Sequence, residues 1–217
     1  MHSTDIKFTS GDAELPGQLV VPTQAHGVVI FAHGSGSSRH SPRNKYVANY
    51  LNNKGFATLL FDLLSVNEES NRNKVFDIPL LSKRLIDATE WVRSYPTVKL
   101  LPIGFFGAST GAAAALIASA TLGKVIGAVV CRGGRVDLAR DFFPRVISPT
   151  LLIVGEADDL VLELNQAASN ELTCISHISV ISRATHLFEE PGALEKVCEK
   201  AGDWFALYLG SQKGQER

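Results

Sequence analysis

The stretch GFFGASTGAAAAL, residues 104–116, decides how the chain is read. A serine stands between two glycines, behind an apolar run and ahead of four alanines. The run before it has the composition of a strand covered on both faces. The alanines after it let a helix press closely on a sheet. Gly107-Ala108-Ser109-Thr110-Gly111 fits G-x-S-x-G, in which the serine occupies a very sharp strand-to-helix turn. Side chains two residues either side of that turn would collide, and glycine removes the collision. Two readings compete. Ser109 is the N-cap of an ordinary glycine-flanked helix, or it is a nucleophile held at the carboxyl end of a strand, where functional groups of parallel sheets gather.

Outward from this stretch, strand-like and helix-like patterns alternate. GVVIFAHG (27–34), FATLLFDLL (56–64), LLPIGFF (100–106), KVIGAVVC (124–131), SPTLLIVG (148–155) and ISHISVIS (175–182) read as strands. Helices are expected over 43–55, with Tyr46, Val47, Tyr50 and Leu51 on one face, over 78–95, over 109–122 and at the end of the chain. Residues 65–77, SVNEESNRNKVFD, are polar and read as a loop that could close over ligand. The opening IKFTSGDAELPGQLVVP gives two short strand patterns around SGD, a hairpin. The alternation predicts one α/β domain over 1–217: a mixed sheet with an antiparallel start, about six parallel strands and helices on both faces. The tail GSQKGQER is expected to fray.

A serine hydroxyl needs a base, and the base an orienting acid. Both should follow later strands. EADDLV after the strand ending at Gly155 offers Asp158 and Asp159, with Asp158 preferred and Asp159 as a solvated neighbour. RATHLFEEPG after the last strand offers His186. The order Ser…Asp…His is the one this architecture uses. Oxyanion donors are expected from the N–H groups of Thr110, next to the serine, and of Ser35, in the loop AHGSGSSRHSPRN (32–44). His33 is expected to tie that loop down. GSGSSR in the same loop resembles the start of a dinucleotide-binding G-x-G-x-x-G, with Asp62 ending the next strand. Arg39 stands where the third glycine belongs, so no such cofactor is expected. Arg39 and Arg132 lie on the same edge and could grip a substrate carboxylate or phosphate, whereas Arg135 reads as paired to Asp137 or Asp141.

Bulk properties narrow the classes. Apolar residues make up 45% of the 217 and charged residues 20%, with a net charge of -1. No charge excess favours nucleic acid or an anionic membrane. The polar N-terminus lacks the regions of a signal peptide, and no apolar run reaches the length of a membrane span. Cys131, Cys174 and Cys198 form no close-spaced pair and read as buried thiols of a cytoplasmic protein. No histidine–carboxylate set has metal-ligand spacing such as H-E-x-x-H. No cofactor is expected, and the partners expected are a small ester substrate and, at most, a second copy of the chain.

HGSGSS, GASTG, GEADDLV and ATHLF together resemble the α/β-hydrolase fold and, within it, the dienelactone hydrolase-like family, over nearly the whole chain. CRGGRVDLA and the HGSGSSRHSPRN loop resemble a bacterial subgroup, sometimes fused to phosphoribosyltransferase domains; no such domain is read in these 217 residues. The resemblance implies a nucleophile, acid and base at Ser109, Asp158 and His186, and an oxyanion loop at Ser35 and Thr110. Dienelactone hydrolases proper use a cysteine nucleophile, so serine here favours ordinary ester hydrolysis. The family often inserts a lid after the strand following the nucleophile helix. The short gap between Cys131 and Thr150 leaves room only for a short helix, which implies an open site for small to medium acyl groups. Thioesterase, amidase or perhydrolase chemistry on the same triad, and a non-catalytic binding module, remain as alternatives.

Overall fold

Successive β residues in this chain bury alternate side chains on opposite faces of one sheet, and the helices follow that division. The computed structural model describes residues 1–210. Two nine-residue strands, β1 (His2–Ser10) and β2 (Ala13–Val21), form an antiparallel hairpin. Then come β3 (Gly27–Ala32), β4 (Phe56–Phe61), β5 (Ile103–Ala108), β6 (Ile126–Arg132), β7 (Thr150–Gly155) and β8 (Ser176–Ile181). The sheet order is β1-β2-β4-β3-β5-β6-β7-β8, antiparallel through β2–β4 and parallel from β4 to β8. The mixed sheet expected from the sequence is the one observed.

The interior strands β3 to β7 carry almost nothing but buried residues. Odd and even positions serve different cores, as the two-residue period requires. Ile30, Phe105 and Cys131 join one cluster; Phe31, Phe106 and Val130 join the other. The second cluster is covered by α1 (Pro42–Asn53) and α7 (Ala193–Leu209). The first is covered by α4 (Ile78–Ser94), α5 (Thr110–Leu122) and α6 (Asp159–Glu171). Burying a large apolar side chain contributes roughly 1.5–3 kcal/mol. The run Phe31–Phe106, with ring centroids 4.9 Å apart, therefore anchors the two central strands strongly.

Three expectations need correction. Residues 65–77 are no plain loop: they hold two single-turn helices, α2 (Val66–Glu69) and α3 (Arg72–Val75). Ser65 and Glu68 form a reciprocal capping box at α2, and the Asn71 side chain caps α3, so polar residues build the turns themselves. α1 buries Val47, Ala48 and Leu51 but turns Tyr46 outward, where its phenol donates to Glu195 Oε1 at 3.1 Å. α6 was not foreseen. Its inner face carries Asn165 between Val161 and Ala168, a polar residue that hides the apolar period. The Asn165 amide donates to the carbonyls of Gly134 and Val161 at 2.8 and 2.7 Å. Beyond Gly210, the tail expected to fray lies outside the described residues.

Candidate active site

Ser35, Ser109, Arg132, Asp158 and His186 all lie at or just after the carboxyl ends of parallel strands, namely β3, β5, β6, β7 and β8. Ser109 follows β5 with φ 52 and ψ -122, a left-handed conformation costly for any residue but glycine. Its hydroxyl makes no capping hydrogen bond to α5, so the N-cap reading fails on geometry. Neighbours force the turn. A Cβ on Gly107 would lie 2.5 Å from Ala112 Cα, and one on Gly111 would strike the Ala32 carbonyl oxygen at the end of β3. The Ser109 backbone is fixed from the next strand: its N–H donates to Arg132 O at 3.1 Å, and its carbonyl accepts from Arg135 N at 3.0 Å. α5 behind it is buried from Thr110 to Ser119, which makes the turn part of the core rather than a surface loop.

Asp158 and His186 meet across two loops. His186 Nδ1 lies 2.6 Å from Asp158 Oδ2; the carboxylate is mostly buried, while the imidazole is about one-third exposed. Asp159 begins α6 and is exposed. The loops are laced by backbone: Ala157 N–H donates to Ala184 O at 2.9 Å and Glu156 N–H to Ile181 O at 2.9 Å. The ring of His186 rests over Gly133, where a Cβ would stand 3.4 Å from Cε1 and Nδ1. Gly133 sits between Arg132 and Arg135, the two residues that hold the Ser109 backbone, so one turn supports both the serine and the histidine. The Gly-Gly of CRGGRVD was its signal in the sequence, read there only for its arginines.

The loop after β3 forms the opposite wall. His33 is buried; its Nδ1 faces Gly34 O at 3.0 Å and its Nε2 takes the Leu63 N–H at 3.0 Å. That pattern is the neutral ring, donor at Nδ1 and acceptor at Nε2. Burial lowers its pKa, against smaller raising effects from the Gly34 carbonyl, Asp62 and Glu69. Thr110 is buried, and its Oγ1 accepts the Ser35 N–H at 2.9 Å. The Ser35 N–H, expected as an oxyanion donor, is thus directed at a side chain in this structure.

The two arginines part company. Arg39 donates its backbone N–H to Asp62 Oδ1 at 2.7 Å and pairs its guanidinium with Oδ2 of the same carboxylate. It pins the loop, and Asp62 is thereby accounted for. Arg132 is buried with no carboxylate partner among the described residues. Its Nε is unsatisfied and its Cζ lies 5.8 Å from the Phe188 ring. Burial, and then the nearby charge of Arg43, lower its pKa to about 10. Arg43, at the start of α1, has its own buried Nε unsatisfied and reaches Glu189 at 3.1 Å. With Arg39 and His40, Arg43 makes up the basic cluster that the sequence of this loop shows. Arg135 pairs bidentately with Asp137.

Beside the rim lies a cavity of about 640 Å³. The 33–43 loop forms one side, Leu63 and Leu64 lie after β4, and Glu69, Val75 and Leu81 close the far side. The 65–77 segment is therefore a wall of this cavity. It is held by Glu68, which accepts from Ser65 N at 2.9 Å and pairs with Lys74 and Arg84, each at 3.0 Å. Burial pushes the Glu68 pKa up, but these donors outweigh it and bring it to about 2. The 3-10 stretch Val136–Arg145 buries Val136, Ala139 and Phe143 against the α5 side of the sheet. Among the described residues no three His, Cys, Asp or Glu side chains gather as metal ligands, and no helix is long and apolar enough to cross a membrane.

No protein-family model matches the chain. Two Mycobacterium tuberculosis proteins, from strains CDC 1551 and H37Rv and provisionally named phosphoribosyl transferases, are each 53% identical over 209 residues, 96% of this chain and 47% of theirs. The chain thus spans about half the length of the curated relatives it matches. A crystal structure of a dienelactone hydrolase from Anabaena variabilis superposes with a TM-score of 0.93 at 48% identity, covering 96% of this chain and 98% of that one. Est1E from Butyrivibrio proteoclasticus superposes with a TM-score of 0.81 at 16% identity, over 95% and 99% of the two chains, a likeness of fold. With its sheet order, its strained serine turn and these relatives, the chain is an α/β-hydrolase, in the family of the Anabaena variabilis dienelactone hydrolase.

Proposed function

We propose that the chain is a serine hydrolase cleaving carboxylic esters or thioesters of small to medium acyl groups through an acyl-enzyme. The observation that carries this reading is the left-handed Ser109 with its uncapped hydroxyl, on the same rim as the Asp158–His186 pair. With Nδ1 held by Asp158, His186 is left Nε2 to take the Ser109 proton as Oγ bonds to the acyl carbon. Asp158 stabilises the imidazolium that results. The carbonyl π pair moves onto oxygen, where the N-terminal N–H groups of α5, beginning with Thr110, meet it. Collapse expels the alcohol or thiol with the proton from His186, and water releases the acyl group by the same steps. We place the chain in a reducing compartment, where three cysteines without a close-spaced pair stay thiols.

The substrate side of the proposal rests on Arg132 and Arg43. A buried guanidinium with an unpartnered N–H beside a second one favours an anion, because each alone is costly to desolvate. We therefore expect preference for esters that carry an acidic group, gripped by Arg132.

The test is a fluorophosphonate label followed by an ester panel. Wild type should label and Ser109→Ala should not, with turnover falling by at least about 10⁴-fold. A wild type that neither labels nor turns over esters would leave a binding module in place of the enzyme. On the panel, Arg132→Ala should raise KM for acidic esters at least about 10-fold and leave neutral ones nearly unchanged; an equal loss for both removes the anion seat.

A further inference from the structure

The oxyanion loop reaches the nucleophile by three contacts, and one of them is chemical. A Cβ on Gly34 would lie 2.9 Å from Ser109 Cβ and 3.7 Å from Oγ, so the loop backbone passes directly over the serine. A Cβ on Gly111 would strike the carbonyls of Ala32 and His33 from below. Between these two contacts, the Ser35 N–H donates to Thr110 Oγ1 at 2.9 Å. Thr110 Oγ1 therefore lies against the Ser35 backbone of that loop, on a buried residue that directly follows Ser109 and opens α5.

A backbone N–H has one hydrogen, and that of Ser35 is directed at a threonine. A hydroxyl can accept and donate at once. Thr110 accepts from Ser35, and among the described residues its own hydroxyl hydrogen has no side-chain or backbone acceptor. Donation into Oγ1 polarises the hydroxyl and strengthens the bond it can give in turn.

We propose that the Thr110 hydroxyl is a catalytic residue: it donates to the oxyanion alongside the Thr110 N–H, with the Ser35 N–H acting through it rather than on substrate. This rests on the serine hydrolase reading above. The hydroxyl keeps its proton throughout; only a hydrogen bond strengthens as the carbonyl oxygen gains charge, while the Ser109 proton moves to His186.

The experiment compares Thr110→Val and Thr110→Ser with wild type, using a p-nitrophenyl ester for turnover and a trifluoromethyl ketone as transition-state analogue. Loss of one oxyanion donor costs about 10²-fold in kcat. Thr110→Val should lose about that much, with KM moving less than about 3-fold, and should weaken ketone binding in proportion. Thr110→Ser, which keeps the hydroxyl, should recover most of both. Should Thr110→Val fail to fold, Thr110→Ala removes the same hydroxyl and is read the same way. A hydroxyl-free variant within about 3-fold of wild-type kcat overturns the proposal, leaving Thr110 as a tether. A serine variant as impaired as the valine one also overturns it, since packing would then be the cause. Absence of ester turnover and of fluorophosphonate labelling in the wild type itself overturns the hydrolase reading, and this inference with it.

Discussion

The serine turn meets the 33–43 loop at Gly34, and the 65–77 wall faces that loop across the cavity, yet the two are held by opposite means. At the turn the constraint is steric: glycines at 107 and 111 let backbone meet backbone, and the helix behind them is buried. At the wall it is ionic: two single-turn helices with no buried residues of their own are fastened to α4 through Glu68, Lys74 and Arg84. Close packing admits few alternatives, whereas a polar clasp can be loosened without moving the core. Ser109 is thus placed by the rigid device, and the cavity is bounded by the soft one.

This contrast can be broken most forcefully at Gly111. Its missing Cβ would collide with Ala32 O, so Gly111→Ala should destabilise by about 3 kcal/mol in urea titration and also lower activity, since the turn must move. Little change in stability would mean the turn yields and is no steric lock. A smaller effect is expected at the clasp. Glu68→Gln leaves Arg84 short of its countercharge and should cost about 1–3 kcal/mol. Its functional mark should be a raised KM with kcat nearly kept; a matching fall in kcat would tie the wall to the chemistry and dissolve the distinction.

Acid should separate the regions more gently. His33 has a lowered pKa in the folded chain, so below about 6.5 the unfolded chain binds the extra proton and stability falls as pH drops. Asp62 and Glu69 face it and temper the loss. Glu68, lowered from 4.5 to about 2, stabilises above about 4.5, and its contribution disappears as pH falls from there toward 2. Thermal melts should show a first decline below about pH 6.5, removed in a His33→Gln variant, and a second below about 4.5, removed in Glu68→Gln. One common decline that neither variant alters would refute the assignment.

What could be read from the sequence follows the same division. The strands and the glycine–serine turn were legible because burial and steric exclusion leave local marks, such as apolar runs and glycines at fixed offsets. The loops after β5, β7 and β8 could be located for the same reason. The α2–α3 wall was not, since Ser65, Glu68 and Asn71 cap turns with residues that read equally well as coil. Nor was α6, whose buried Asn165 finds its partner, Gly134 O, on another loop. The fates of Ser35 and Arg39 were also invisible. Each is decided by one neighbour distant in sequence, Thr110 and Asp62, and no spacing rule records that.

The 3-10 stretch Val136–Arg145 has its own implication for redesign. Its apolar side is sunk beside α5, and its N-cap, Arg135, holds the Ser109 carbonyl, so chain added there would pull on the serine turn. A cover for the cavity is better grafted at the α2–α3 turns, where new length replaces polar surface and leaves the serine's footing alone. Enlarging or narrowing the range of accepted molecules is accordingly a task for thirteen-odd residues that contribute little to the core, and evolution and the engineer have the same place to cut.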